Sequence, residues 1–221
     1  MGEFNEKAAS KRSLSLRKSV CGVGVNDAWY ITQYKDEEGK LTMCPYYRKW
    51  FDMLRRCYSE RFHEGQHTYR GCSVSSGWLL FSNFRLWMEQ QDWEGKQLDK
   101  DILVVGNKVY SEYTCIFVSS GINSLLSSCG AVRGECSQGV SLYKKANKYR
   151  AYCRINGMLK HLGYFISEAQ AEEAYCEFKS ANILRMSNQP EAASQPRLQE
   201  GLLRHAKVFS DRAEELTVQL K

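Results

Sequence analysis

Long apolar runs are missing from this chain, and so is any paired-cysteine spacing. No stretch of its 221 residues approaches the roughly 20 consecutive apolar residues that a membrane helix needs, and the first residues lack the apolar core of a signal peptide. Nine cysteines are present, an odd number, and no two stand as C-x-x-C. Neither a disulfide framework nor a cysteine-ligated zinc is therefore expected. Reduced, mostly buried thiols are, because Cys57, Cys153 and Cys176 fall within apolar patterns. These absences predict a cytoplasmic protein with no membrane partner. Charge is not scarce: 25% of residues are charged, with a net charge of +6 and a pI near 8.8. That balance suits a polyanionic partner without demanding one.

The most informative absence is local. Between Gly139 and Ile166 there is no Asp or Glu, while the segment carries Lys144, Lys145, Lys148, Arg150, Arg154 and Lys160. The segment reads as three short strands, breaking at Ala146-Asn147 and at Asn156-Gly157. Asn-Gly between alternating segments is a strong hairpin signal, because both residues tolerate positive φ. Ser167 with Gln170 three residues on has the form of a capping box. Ala171, Ala174, Tyr175, Phe178 and Ala181 then recur at spacings of three and four, giving a helix with one apolar face. The acids Glu168, Glu172, Glu173 and Glu177 all fall on that helix. In the second strand Tyr149, Ala151, Cys153 and Ile155 share one face, and Arg150, Tyr152 and Arg154 share the other. A sheet apolar beneath and basic-aromatic above fits a polyanion: Arg pairs with guanine edges or phosphate, and Tyr packs on sugar or a thymine methyl. The bland reading is a solvated face that happens to be basic.

The run GV-S-L-Y, Y-R-A-Y-C-R-I-N-G, H-L-G-Y-F and S-E-A-Q-A resembles the Apetala-two/ERF-type DNA-binding domain over about 45 residues. The resemblance implies a three-stranded antiparallel sheet laid in the major groove of double-stranded DNA and backed by one helix. It implies DNA-facing positions at Ser141, Tyr143 and Lys145 in the first strand, at Tyr152 and Arg154 in the second, and at Leu159 and His161 in the third. Plant members commonly carry Arg where Ser141 and Leu159 stand, and Glu where Tyr152 stands, so sequence preference does not transfer. Phosphate contacts are expected from Lys144, Lys145, Lys148 and Arg150.

Ahead of this module, residues 1–20 read as a flexible basic arm, with Lys7, Lys11, Arg12, Arg17 and Lys18 either touching phosphates or solvated. Residues 28–34 and 41–45 flank Asp36-Glu37-Glu38-Gly39, the pattern of a hairpin with a charged turn. A helix is predicted from about Tyr47, with Trp50, Phe51, Leu54, Cys57 and Tyr58 as its apolar stripe and Lys49, Arg55, Arg56 and Arg61 on its polar side. Residues 63–76 read as a loop leading into a short strand. Trp78 to Met88 reads as a second helix whose aromatics Trp78, Phe81, Phe84 and Trp87 make a core face. Gln97 to Leu126 then suggests a strand, a Gly106-Asn107 turn, a strand from Cys115 to Val118 and a helix starting at Ser119 or Ser120.

The order WFDMLRRCY, Y-R-G-C, W-x-x-F-x-x-F, L-D-K-D, G-N-K-V-Y and T-C-I-F-V resembles bacteriophage proteins of the HNH type, which often carry an Apetala-two-like module at the C-terminus. The resemblance implies a phage or mobile-element protein acting in the host cytoplasm, with a small ββα-type domain over 21–127. In an HNH nuclease a His on the first strand activates water, and a His, Asn or Asp on the helix helps hold one divalent cation such as Mg²⁺. Beside Asp99, where that His should stand, this chain has Lys100. Lysine binds phosphate but is a poor general base unless its pKa falls far. Asn107 and Asn123 remain as polar candidates, and Asp99 and Asp101 as metal ligands, unless they merely flank a turn. His63 and His67 fall in the loop.

The expectation is thus an α+β protein: an HNH-like domain over 21–127, a linker over 128–138, the DNA-binding sheet over 139–186, a second linker over 187–197 and a helix over 198–221. That last helix, with Leu202, Leu203, Ala206, Phe209, Ala213, Leu216 and Leu220 at helical spacing, either self-associates, binds a protein partner or packs back on its own domain. The favoured function is double-stranded DNA binding with no cofactor, on a nuclease scaffold that has lost its catalytic His. The alternatives are an active metal-dependent endonuclease of homing type and a phage protein that binds a host protein.

Overall fold

The computed structural model describes residues 4–35, 38–126, 135–155 and 157–221. The chain is a mixed α+β protein built from small sheets and helices. It divides into two compact units, Met1–Lys100 with Asn107–Phe117, and Asp101–Gly106 with Val118–Lys221.

The first unit opens with α1 (Lys11–Ser15), capped by the Ser10 hydroxyl on the Ser13 N–H at 3.1 Å. Its next elements are the antiparallel pair β1 (Gln33–Lys35) and β2 (Leu41–Met43). The sequence places a charged turn between these strands; Asp36 and Glu37 of that turn lie outside the described residues. Then come α2 (Pro45–Tyr58), α3 (Glu60–Gly65) and β3 (Ser73–Val74). After them follow α4 (Phe81–Glu89), β4 (Gln97–Asp99), β5 (Val109–Tyr110) and β6 (Ile116–Val118). Pro45 stands in the first turn of α2, where its fixed φ suits a helix start and its missing N–H costs nothing. Tyr47, Trp50, Met53, Leu54 and Cys57 bury one face of α2. The Trp50 indole donates to the Trp78 carbonyl at 2.7 Å, so this large side chain is buried with its polar atom satisfied. Trp78 lies on a 3₁₀ turn (Ser76–Leu79) and not in the predicted helix, which starts at Phe81 after an extended Leu80; its ring still meets Phe84 edge-on at 5.1 Å. Strand β3 pairs in parallel with β5, and β4 is hydrogen-bonded to β6 in a separate two-stranded sheet.

Two expectations for this unit do not hold. The described part of the arm is anchored, not flexible. The Arg17 guanidinium donates to the carbonyls of Asn26, Ala28 and Tyr30, 2.9 Å from the first and 2.6 Å from the last. Arg85, paired with Glu6 at 2.8 Å and Glu89 at 2.7 Å, also donates to the Tyr30 hydroxyl and fixes the start of the chain. Residues 63–76 are not a plain loop either: they hold the end of α3, a 3₁₀ turn at His67–Tyr69 and β3. Ser59 ends α2 in an extended conformation, and its hydroxyl caps α3 by accepting from the Phe62 N–H at 3.3 Å.

The second unit comprises α5 (Ser120–Leu126) and the antiparallel sheet of β7 (Val140–Tyr143), β8 (Lys148–Ile155) and β9 (Met158–Phe165). Three helices complete it: α6 (Glu168–Ser187), α7 (Pro190–Ala193) and α8 (Pro196–Gln219). Ser167 caps α6 by accepting from the Gln170 N–H at 3.2 Å, as the capping box predicts. Beneath the sheet Val140, Ala151 and Ala171 form one buried cluster; Cys153, Tyr175, Cys176 and Ala213 form another. Gly139 sits at φ +76°, and a Cβ there would stand 2.1 Å from the Tyr175 ring, so no other residue fits.

Ala213 belongs to α8, so the tail completes the core under the sheet instead of standing free. Tyr175 meets Phe209 edge-on at 6.2 Å, and Arg212 pairs with Glu172 at 2.9 Å. Helix α6 is accordingly buried on two sides, and the single apolar face read from its spacing is incomplete. Lys179, Ser180, Asn182 and Ser187 are all buried, whereas Ala181 is exposed. Each buried polar group has a partner: Lys179 donates to the Leu125 carbonyl and Ser180 to the Ala206 carbonyl at 2.9 Å. Asn182 accepts from Arg185 at 3.0 Å, and Ser187 donates to the Leu184 carbonyl at 2.8 Å. The expected linker over 187–197 is replaced by α7, whose Ala192 is buried and whose Glu191 accepts from the Ser119 N–H at 2.8 Å.

The small-residue stretch expected to separate the halves lies, over 127–134, outside the described residues. The observed division falls earlier in the chain, before Val118, and places Asp101–Gly106 in the second unit. There Arg204 donates to the Leu103 carbonyl at 3.0 Å, and His205 bonds the Asp101 carbonyl at 3.0 Å.

Candidate nucleic-acid interface

Strand register decides which side chains share the outer face of the sheet. Ser141 lies opposite Arg150, and Tyr143 opposite Lys148; across the other seam Arg154 faces Leu159, Tyr152 faces His161, and Arg150 faces Tyr164. The inner positions Val140, Ala151 and Cys153 are buried. Between Ala151 and Tyr152 the register slips: Ala151 pairs with Gly163 and Tyr152 with His161, leaving Leu162 without a partner on β8. This is a bulge, and Gly163 within it takes φ +153°. Leu162 turns down into the core, and Tyr164 therefore emerges on the same face as His161.

The outer face is cationic and aromatic together. Lys144 and Lys145 stand exposed on a 3₁₀ turn that ends at Asn147, whose φ of 49° is one that asparagine tolerates. Lys145 therefore lies on the turn and not in the first strand. Lys148 and Arg154 are exposed, and Arg150 is half-buried. Among the described residues none of these five cations is in an ion pair. Three of the four acids on α6 are engaged elsewhere: Glu168 accepts from the Ser137 N–H at 2.8 Å, Glu172 pairs with Arg212, and Glu173 accepts from Thr217 at 2.5 Å. Positive charge on the sheet is thus left uncompensated within the module, which raises the local potential for an anion.

The arginines are already oriented. Arg150 donates to the Ser141 hydroxyl at 3.2 Å and lies over the Tyr152 ring at 5.8 Å; Arg154 donates to the Gly157 carbonyl at 2.7 Å, toward the hairpin tip. Lys160 pairs across from Cys153 on the inner side, 4.6 Å above the Phe178 ring of α6, and so does not belong to this face. The sequence reading missed Tyr164. Its ring lies 5.3 Å from Tyr143 and 4.7 Å from His161. The available signal was Gly163 inside a strand pattern, since an isolated glycine there marks a bulge.

The candidate nuclease residues fall into both units. Lys100 and Asn107 belong to the first, where Lys100 is 6% exposed and donates to the Asn107 carbonyl at 3.1 Å. The Asn107 side-chain amide donates to the carbonyls of Lys100 and Val109, both at 2.7 Å. Asp99 ends β4 in the first unit; Asp101 and the half-buried Asn123 of α5 belong to the second. The Lys100 ammonium and the Asn107 amide are thus both committed to carbonyls. Among the described residues no group of three or more His, Cys, Asp or Glu side chains could hold a metal ion. His63 bonds the Arg56 carbonyl at 2.7 Å and His67 is exposed.

The basic side of α2 is largely spent on packing. Lys49 donates to the Lys96 carbonyl at 2.6 Å, Arg55 lies over the Phe62 ring at 5.1 Å, and Arg56 over the Tyr69 ring at 5.7 Å. No helix among the described residues is long and apolar enough to cross a membrane. Comparison with protein-family models, with curated proteins and with solved structures finds no match.

Proposed function

We propose that this chain binds double-stranded DNA through the outer face of the β7–β9 sheet. One observation carries the reading: Lys144, Lys145, Lys148, Arg150 and Arg154 gather on one face without an ion-pair partner among the described residues, while Glu168, Glu172 and Glu173 are bound below. Phosphate contacts release counterions, and each adds about 0.9 to the slope of log affinity against log salt. Lys144, Lys145, Lys148 and Arg150 stand where the backbone would pass, and Tyr143, Tyr152, Arg154 and His161 where base edges would lie.

The resemblance to Apetala-two/ERF-type domains, together with the sheet-and-helix order, supports this reading. For the first unit we favour an HNH-like scaffold of phage or mobile-element origin that has lost its nuclease chemistry. The pairing of β4 with β6, with β5 between them in the chain, supports the scaffold; Lys100 at the water-activating position speaks against the chemistry. The test is titration of a mixed-sequence duplex with the full chain at rising salt. Binding that weakens with a slope of about −3 or steeper supports the reading, and no binding at 50 mM salt refutes it.

A further inference from the structure

We propose that Tyr164, with Tyr143 and His161, is a specificity-determining row that recognises the C5-methyl group of a pyrimidine in the duplex groove, whether thymine or 5-methylcytosine. The inference rests on the DNA-binding reading above and adds to it what the face selects.

Three observations lead to it. First, the bulge at Leu162 lifts Tyr164 onto the outer face, where the residue is 51% exposed. Strict alternation from His161 would have turned its ring beneath the sheet. Second, the arginines suited to reading guanine have intramolecular partners, Ser141 for Arg150 and Gly157 for Arg154. Among the described residues no hydrogen bond engages the phenol oxygens of Tyr143 or Tyr164. Beside the lysines, the groups of this face without an intramolecular hydrogen bond are therefore aromatic. Third, the rings tilt against each other at 48° and 53°. A single-stranded base needs an open, flat ring face to stack on. Rings leaning together present a ridge of edges and hydroxyls instead, which suits a groove floor.

In the major groove, the C5-methyl is the apolar group that a base pair exposes. An aromatic ridge flanked by cations can remove that methyl from water while lysines hold the phosphates. Taking one methyl out of water is worth about fourfold in affinity.

The test compares duplexes that differ only in that group. One random-sequence pool is prepared with thymine and again with uracil, and one G·C-only duplex with cytosine and again with 5-methylcytosine. A single strand of the same pool is the third arm. The full chain is expected to bind the thymine pool about four- to tenfold more tightly than the uracil pool, and the 5-methylcytosine duplex more tightly than its unmethylated form. Tyr164→Ala should bring both ratios to about one, and Tyr164→Phe, which keeps the ring, should preserve them. Equal affinity of the unsubstituted protein for the thymine and uracil pools overturns the proposal while leaving duplex binding intact. Preference for the single strand overturns it in favour of a stacking platform. Ratios that persist in a folded Tyr164→Ala protein overturn the assignment to this row. Failure to bind any duplex overturns the parent reading as well.

Discussion

Lys100 and Asn107 hold one another from both ends. The Lys100 ammonium donates to the Asn107 carbonyl at 3.1 Å, and the Asn107 amide donates back to the Lys100 carbonyl at 2.7 Å. The loop between them is closed by its two ends, and the lysine at the expected catalytic position serves as a fastening. Lys100→Met keeps the length and removes the donor, so it should cost about 1–3 kcal/mol of stability. Asn107→Ala should cost at least as much. Urea unfolding of both variants checks this; losses under about 0.5 kcal/mol would mean that water substitutes freely for the clasp.

Removing α8 should unmake the second unit. Phe209 and Ala213 share a buried cluster with Cys153 of the sheet and with Tyr175 and Cys176 of α6. A chain ending at Gln195 should therefore lose cooperative thermal unfolding of this unit. Ala213→Asp, which puts a charge into that cluster, should lower its stability by several kcal/mol. A truncated chain that melts as the full one does would show that the tail is accessory.

The cations of the sheet should separate into two classes. Lys148, exposed beside the turn, should act on phosphate, so Lys148→Ala should weaken all duplexes alike and reduce the salt slope by about 0.9. Arg154, exposed on the outer face and held toward the hairpin tip by the Gly157 carbonyl, is the arginine expected at base edges, and Arg154→Ala should cost about 1–3 kcal/mol more on a preferred sequence than on random duplex. Equal losses on both duplexes for both variants would reduce the face to a basic clamp.

On the HNH-like reading proposed above, supercoiled plasmid incubated with the protein and Mg²⁺ or Mn²⁺ should stay intact, because a committed lysine stands at the position that reading gives to the water-activating histidine. Metal-dependent nicking that disappears in an Asp99→Ala, Asp101→Ala double variant would reverse this conclusion.

Burial pushes the thiols of Cys57 and Cys115 up to about 12. In the unfolded chain a thiol loses its proton near 9.0, while the folded chain must keep it. The stability from a neutral buried thiol is thus fully present below pH 9 and is lost as pH rises from 9 toward 12. Each such thiol should contribute up to about −1.4 kcal/mol per pH unit in that window. Denaturant unfolding at pH 8, 9 and 10 measures the slope, and Cys115→Ala should make it shallower. An unchanged slope would assign the alkaline loss to other groups.

Much of the sheet module was legible without coordinates. Alternation around Arg150, Tyr152 and Arg154, the pre-helical Ser167 and the absence of acids from 139–166 each rest on local chemistry, and the observed register and cap agree with them. The first unit was legible in its longer helices, because the spacing of Trp50, Leu54 and Cys57 marks a buried face directly. The arm was misread because its anchor is distant: Arg17 looks solvated until the carbonyls of Asn26, Ala28 and Tyr30 converge on it. In α6, too, spacing marked one face, while the second appears only in the packed unit, where Lys179 donates to the Leu125 carbonyl of α5 and Ser180 to the Ala206 carbonyl of α8.

The sequence by itself determined that a basic, acid-free sheet would form and which residues of β8 would face outward, because side chains alternate strictly along a regular strand. Tertiary structure alone decided what stands beside them. Strict alternation from His161 would turn Tyr164 inward; the extra residue at Leu162 shifts the phase by one and turns it outward, into contact with His161 and Tyr143. A bulge is a property of two paired strands, set by how β9 must bend to bury Leu162, and no single strand's pattern contains it.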